Sequence, residues 1–154
     1  MIFATVGTHH QPFTRLMHAL DQLPAEELVV QHGHSPRPRH AAEAVPFLPF
    51  ADLLDHMERA RVVITHAGSG SILLSRRFGH SPIVVPRLAR HGEHVDDHQL
   101  ELARVMEGEG SVTVLWEMDR LAEAVAGVPP RGERQAAHGG ALHAAVRAAL
   151  ERAS

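Results

Sequence analysis

Val62-Val63-Ile64-Thr65-His66-Ala67-Gly68-Ser69-Gly70-Ser71 decides how this chain folds. Three successive apolar, β-branched residues read as a parallel strand buried on both faces, because a strand with one wet face would alternate. Small residues follow at once, and a helix is predicted from about Ser71 to Phe78, stopped at Gly79. Ile83 to Val85, closed by Pro86, supplies the next strand, so the stretch is one strand-helix-strand unit.

The same alternation extends in both directions. Towards the N-terminus lie a helix from about Asp52 to Ala60, an apolar but proline-interrupted run from Phe47 to Phe50, and a polar loop from His32 to His40. Leu28 to Val30 is a short strand, and Ile2 to Val6 is another, ending at Gly7. Between them Phe13, Leu16, Met17 and Leu20 have helical spacing, with Pro12 near the first turn. Towards the C-terminus come a loop from Arg87 to Glu93, a helix from about Val95 to Glu107, a strand at Val112 to Leu115 and a short helix from Asp119 to Val125. Pro129 to Gln135 reads as a linker into a last helix within about 136–152, whose apolar face carries Leu142, Val146, Ala149 and Leu150. The prediction is an α/β fold, a Rossmann-like parallel sheet with helices on both faces, in one domain over 1–154. Ligands of such sheets sit beyond the strand C-termini, which singles out the loops Gly7 to Gln11, His66 to Ser71 and Arg87 to Gln99.

Composition narrows the chemistry. With 154 residues, 44% hydrophobic and 21% charged, the chain suits one globular domain that needs no covalent staples. Cysteine is absent, which removes disulfides, thiolate nucleophiles and cysteine-based zinc sites. All 15 basic residues are arginine, so the lysine of a Walker loop and a lysine Schiff base are excluded; tyrosine is absent too. A net charge of −3 gives no field that would draw the domain onto nucleic acid or an anionic membrane. The 14 histidines are the anomaly, since their protonation would carry the charge from −3 to +11. No apolar run reaches the ~18 residues that span a bilayer, and Met1 leads directly into a core-like strand, so a cytoplasmic protein is expected.

Four constellations carry chemistry. In His66 to Ser71 the glycines permit close backbone approach, the helix N-terminus offers unpaired N–H groups, and Ser69 and Ser71 add hydroxyls, a set suited to a diphosphate. It is no dinucleotide fingerprint, because Leu73 stands at the third glycine position; a tight turn with a serine cap explains the same residues. Ser69 between Ala67 and Ser71 also fits a nucleophile elbow of a small serine hydrolase, although the chain is short for that fold and the flanks are not glycine. In the run His91 to Gln99, His94 and His98 are four apart and on a helix would share a face, able to hold zinc with Glu93 or His91; a polar cleft lining or a capped helix start is the plainer reading. Gly7-Thr8-His9-His10-Gln11 places N–H groups, the Thr8 hydroxyl and His9, a candidate acid or base, after the first strand.

These pieces in this order resemble a known family. Ile2 to His9 with Gln11-Pro12-Phe13, then Val63 to Ser71, Ile83 to Arg87, and His94 to Ala103 look like the C-terminal, donor-binding half of family 28 glycosyltransferases, over about residues 1–115. They are most similar to stand-alone subunits of two-component polysaccharide transferases. The resemblance implies half of a GT-B hexosyltransferase that binds a UDP-sugar. A membrane-associated partner subunit would supply a lipid-linked acceptor at the inner membrane face, and the bond would form with inversion. It implies donor binding by Gly7, Thr8, His66, Ala67, Gly68, Ser69, Gly70 and Ser71, with His94, His98 and Gln99 near the sugar and Arg87 lining the nucleotide site. It implies no metal and no cofactor, since helix N-termini stabilise the leaving diphosphate. A nucleotide-sugar-binding protein without catalysis of its own is the alternative outside the enzymes. One position departs from the pattern: relatives carry a ribose-binding glutamate where this chain has Leu74. Leu74→Glu is therefore expected to tighten UDP binding about tenfold.

Overall fold

The computed structural model of the chain describes residues 1–110 and 112–132. The last helix expected within 136–152, with Leu142, Val146 and Leu150, lies outside the described residues. Six parallel strands form one sheet in the order β3-β2-β1-β4-β5-β6. They are β1 (Ile2–Thr5), β2 (Leu28–Gln31), β3 (Glu43–Val45), β4 (Val62–His66), β5 (Ile83–Val85) and β6 (Thr113–Val114). The helices are α1 (Thr14–Leu20), α2 (Phe50–Arg59), α3 (Ser69–Arg77), α4 (His98–Glu109) and α5 (Leu121–Ala126). The Rossmann-like α/β class read from the sequence is thus the class observed.

Alternation along the strands divides the core into layers. Ile2 and Ala4 of β1 join Ile64 of β4 in a cluster closed by Leu16, Met17 and Leu20 of α1 and by Leu121 and Val125 of α5. Phe3 and Val63 point the other way, onto Leu53 and Met57 of α2 and Leu74 and Phe78 of α3. Farther along that side, Val84 meets Ile72 of α3 and Ala103 of α4. The β4 segment Val62–His66 is buried at every position, as a continuous apolar run demands.

Two elements differ from the sequence reading. β3 was not expected; its three residues bury only Ala44 fully, and it is held by pairing with β2 from Val29↔Glu43 to Gln31↔Val45. A segment that short carries no readable periodicity. Helix α4 begins at His98 rather than at about Val95, because Asp96 and Asp97 are committed to a turn: Asp96 Oδ1 accepts the His98 N–H at 3.0 Å, and Asp97 Oδ1 accepts the Ala89 N–H at 3.2 Å. Among the described residues no helix is long and apolar enough to cross a membrane.

The order 3-2-1-4-5-6 reverses direction between β1 and β4. Beyond the C-terminal ends of that pair lies the crevice in which open α/β sheets bind ligands. Thr5↔Thr65 is the last register pair there, so the chain leaving β1 at Val6-Gly7 and the chain leaving β4 at Ala67-Gly68 rise side by side.

Candidate functional site at the β1/β4 switch point

The imidazole of His66 occupies the space that two glycines leave open. A Cβ on Gly7 would stand 2.6 Å from His66 Nε2, and one on Gly68 would stand 2.2 Å from its Cε1, both inside contact distance. Gly7 also has φ +73°, a conformation that favours glycine. At these two positions, then, glycine is required first by a neighbouring ring. His66 is buried, and Gln99 Nε2 lies 3.2 Å from its Nδ1. Burial first, and then the charge of Arg87 and the nearby His94 and His9, push its pKa down to about 3, so the ring is neutral at physiological pH.

Helix α3 starts at Ser69 with Gly68 as N-cap, and no side chain caps it. Gly68 contributes its carbonyl, which accepts the Ile72 N–H at 3.1 Å. The first-turn N–H groups of Ser69, Gly70 and Ser71 therefore have no intrahelical acceptor, and no acidic side chain sits among them. Ser69 is exposed; Gly70 and Ser71 are buried. The hydrolase reading of Ser69 lacks its geometry: Ser69 is an ordinary first helical residue, no non-glycine described residue has positive φ, and no histidine among the described residues is hydrogen-bonded to it.

The facing wall is the segment 86–97 after β5, and it is held by buried charge. Arg87 is fully buried. Its Nη1 donates to the Gln11 and Glu93 carbonyls at 2.7 and 3.0 Å, and its Nη2 donates to the Val6 carbonyl at 2.8 Å. Burial pushes its pKa down to about 10, which still leaves it charged, and its guanidinium packs over the Phe13 ring at 5.0 Å. This is a correction to the expectation that Arg87 lines the nucleotide site: its charge faces three carbonyls and ties the β1 loop to the β5 loop. Glu93, 2% exposed, takes Arg15 of α1 bidentately at 3.0 and 2.9 Å and accepts the Leu88 N–H at 3.1 Å. Arg15 is a residue that sequence reasoning passed over, because its partner stands 78 residues away and no local pattern links them.

His9 and His94 meet across the mouth. Their rings stack at 4.3 Å and 12°, and His10 lies tilted against His9 at 4.7 Å. His9 is buried, with Nε2 3.0 Å from Gln11 Oε1, which leaves Nδ1 as the nitrogen able to take a proton. Burial and the neighbouring His9 lower the His94 pKa, against the pull of Asp96 at 3.2 Å. His98 stands apart, exposed and turned towards Asp96 and Glu101. Since α4 begins at His98, His94 and His98 share no helix face, and both Glu93 oxygens face Arg15; the arrangement behind the zinc reading does not form. Thr8 is exposed on the β1 loop. Leu74 is 2% exposed among Phe3, Met57 and Phe78, so that position serves the core, and a glutamate there would be buried rather than offered to a ribose.

Seen together, the uncapped α3 turn, His66 and the histidine pair surround a crevice whose free donors suit an anionic group. Similar proteins agree in fold and in kind. A subunit of UDP-N-acetylglucosamine transferase, ALG13 of Yarrowia lipolytica, is 37% identical over 91 residues, covering 54% of this chain and 44% of its own length. The chain thus spans less than half the length of that relative. The crystal structure of the glycotransferase of kitacinnamycin superposes with a TM-score of 0.57 at 21% identity, covering 99% of this chain and 40% of that one, a likeness of fold. The family model for the glycosyltransferase family 28 C-terminal domain matches residues 1–151, nearly the whole chain, and to that family this protein belongs.

Proposed function

We propose that this chain is the donor-binding subunit of a hexosyltransferase: it holds a UDP-sugar at the β1/β4 crevice while a membrane-associated partner subunit presents a lipid-linked acceptor. The observation that carries the reading is the N-terminus of α3, which in a family 28 chain opens onto the switch point without a capping side chain. Its unpaired N–H groups and the helix dipole stabilise negative charge on a diphosphate, most of all the charge that develops as the sugar–phosphate bond breaks. Ser69, Gly70 and Ser71 bind the phosphates by main-chain N–H, and the exposed Ser69 and Thr8 hydroxyls extend that contact. His94, at the mouth, faces the sugar. In the inverting reaction the acceptor hydroxyl oxygen bonds to the anomeric carbon as the bond to the β-phosphate oxygen breaks; UDP leaves with the electron pair, and His9 Nδ1 takes the hydroxyl proton. The ALG13 likeness, that of a transferase subunit, supports a two-chain arrangement. One Rossmann-like half leaves the acceptor side open to water, so the chain alone transfers little.

Titration calorimetry tests the site directly. UDP is expected to bind the full chain in the presence of a chelator, and Gly70→Val, which places a branched side chain in the first turn of α3, is expected to abolish binding with the fold retained by circular dichroism. Equal UDP binding by Gly70→Val would place the nucleotide elsewhere. Labelling of Ser69 by a fluorophosphonate would return the hydrolase reading.

A further inference from the structure

Gln99, the second residue of α4, is buried and bonded within the protein at both ends of its amide. Its Oε1 accepts the Arg87 main-chain N–H at 3.0 Å, and its Nε2 lies 3.2 Å from His66 Nδ1. An amide N–H can bond only to the oxygen, so Arg87 fixes which way the Gln99 side chain faces. The nitrogen is then left for His66, and an –NH2 group only donates. Nδ1 must accept, and a neutral imidazole with a bare Nδ1 carries its proton on Nε2. That Nε2 lies against Gly7 and has no acceptor among the described residues.

We propose that Gln99 is a positioning residue: oriented by the Arg87 main chain, it locks His66 as the neutral Nε2–H tautomer and so keeps one fixed hydrogen-bond donor at the switch point for the donor diphosphate. The inference rests on the diphosphate reading above for its ligand, but the tautomer follows from the protein alone. It gives Gln99 a task within the protein, since each end of its amide has a protein partner. The charged and titratable groups that face His66 are Arg87, His94 and His9, and each of them opposes an imidazolium there. A permanently neutral donor suits a site that must bind and release an anion over a wide pH range, because its N–H does not come and go with the solvent.

The test is a long-range nitrogen-15 correlation spectrum of the full labelled chain, with the His66 ring assigned by its loss in His66→Asn. The expected result is a bare Nδ1 and a protonated Nε2, unchanged from about pH 8 to about pH 5, where an ordinary histidine has titrated. A protonated Nδ1 in the wild type would overturn the proposal whether or not UDP binds. Gln99→Glu keeps an acceptor for Arg87 but replaces the donor by a second acceptor, so Nδ1 must gain a proton. At about pH 8 its UDP affinity is expected to fall tenfold or more, because the Nε2 lone pair then faces the phosphate; affinity recovers on acidification, when the imidazolium restores Nε2–H. Gln99→Leu keeps the bulk without the bond, and is expected to show both tautomers and a loss without acid recovery. Unchanged UDP affinity in Gln99→Glu, with the tautomer switched, would remove the role of Nε2–H. The expected wild-type tautomer in a chain that binds no UDP would instead overturn the diphosphate reading and leave the Gln99–His66 arrangement standing.

Discussion

The two walls of the crevice are built on opposite plans. The wall after β5 turns its two buried charges inward: Arg87 on three carbonyls, and Glu93 on Arg15 and a main-chain N–H. Among the described residues, the wall after β4 leaves the first turn of α3 without a side-chain cap and its exposed hydroxyl without a partner. Polar residues near a crevice therefore divide into those that give it shape and those that remain for a ligand. Charge by itself does not distinguish them, since Arg87, a charged side chain beside the crevice, is fully buried and faces main-chain carbonyls.

Removing the tie breaks the contrast most severely. Arg87→Met leaves three carbonyls without a donor, two of them in buried bonds, and is expected to cost about 3 to 5 kcal/mol in urea unfolding, with UDP binding lost along with the fold of the loops. A loss below about 1 kcal/mol would mean that the carbonyls find water and that the wall is not built on this guanidinium. Leu74→Glu comes next. It places a carboxylate among Phe3, Met57 and Phe78, and is expected to cost about 2 to 3 kcal/mol at neutral pH, less in acid as the group protonates, with no gain in UDP affinity. A tighter UDP complex in this variant would restore the ribose contact that the buried position argues against.

Acid sharpens the comparison at the point where the walls meet. His66 has a folded pKa of about 3 against 6.5 for the free side chain, so below 6.5 the unfolded state binds more protons than the folded one. Its contribution is intact above pH 6.5 and is lost as pH falls towards the folded value, about 2 kcal/mol by pH 5. His80 and His94, whose pKa values are also lowered, act in the same direction. Thermal unfolding followed from pH 7 to about pH 5 should show this decline, and His66→Asn should flatten it. The smallest effect belongs to the open wall. Ser69→Ala removes an exposed hydroxyl that caps nothing, so stability should move by less than about 0.5 kcal/mol while UDP affinity falls a few-fold, as calorimetry would read.

Much of this was legible from local pattern. The apolar runs at Ile2, Val62 and Ile83 carry β1, β4 and β5, and Gly7 and the Gly68 turn mark where the chain leaves two of them. What stayed hidden depends on distant partners. Nothing near Arg87 says that its side chain reaches Val6, 81 residues back, and nothing near Gln99 names His66, 33 residues back. Leu74 is a related case: its place in a motif is visible in the sequence, but its burial among Phe3, Met57 and Phe78 is fixed by α2 packing against the sheet. Glycine, too, had two possible employers, a ligand and a ring, and only the imidazole lying over Gly7 and Gly68 identifies the second.

The place of β1 in the sheet has a further consequence, in time rather than in space. β1 is synthesised before both of its neighbours: Ile2 pairs with Leu28 and with Val62, so its second edge stays open until a partner sixty residues downstream exists. A ribosome therefore carries a buried-type strand, apolar on both faces, with an unpaired ladder of N–H and C=O groups until β4 has been made. Closing such non-local parallel pairs is slow, and in a chain of this kind the rate of β4 arrival sets how long Ile2 to Thr5 is exposed to misassociation. The sheet order that creates the crevice is also what delays the fold that contains it.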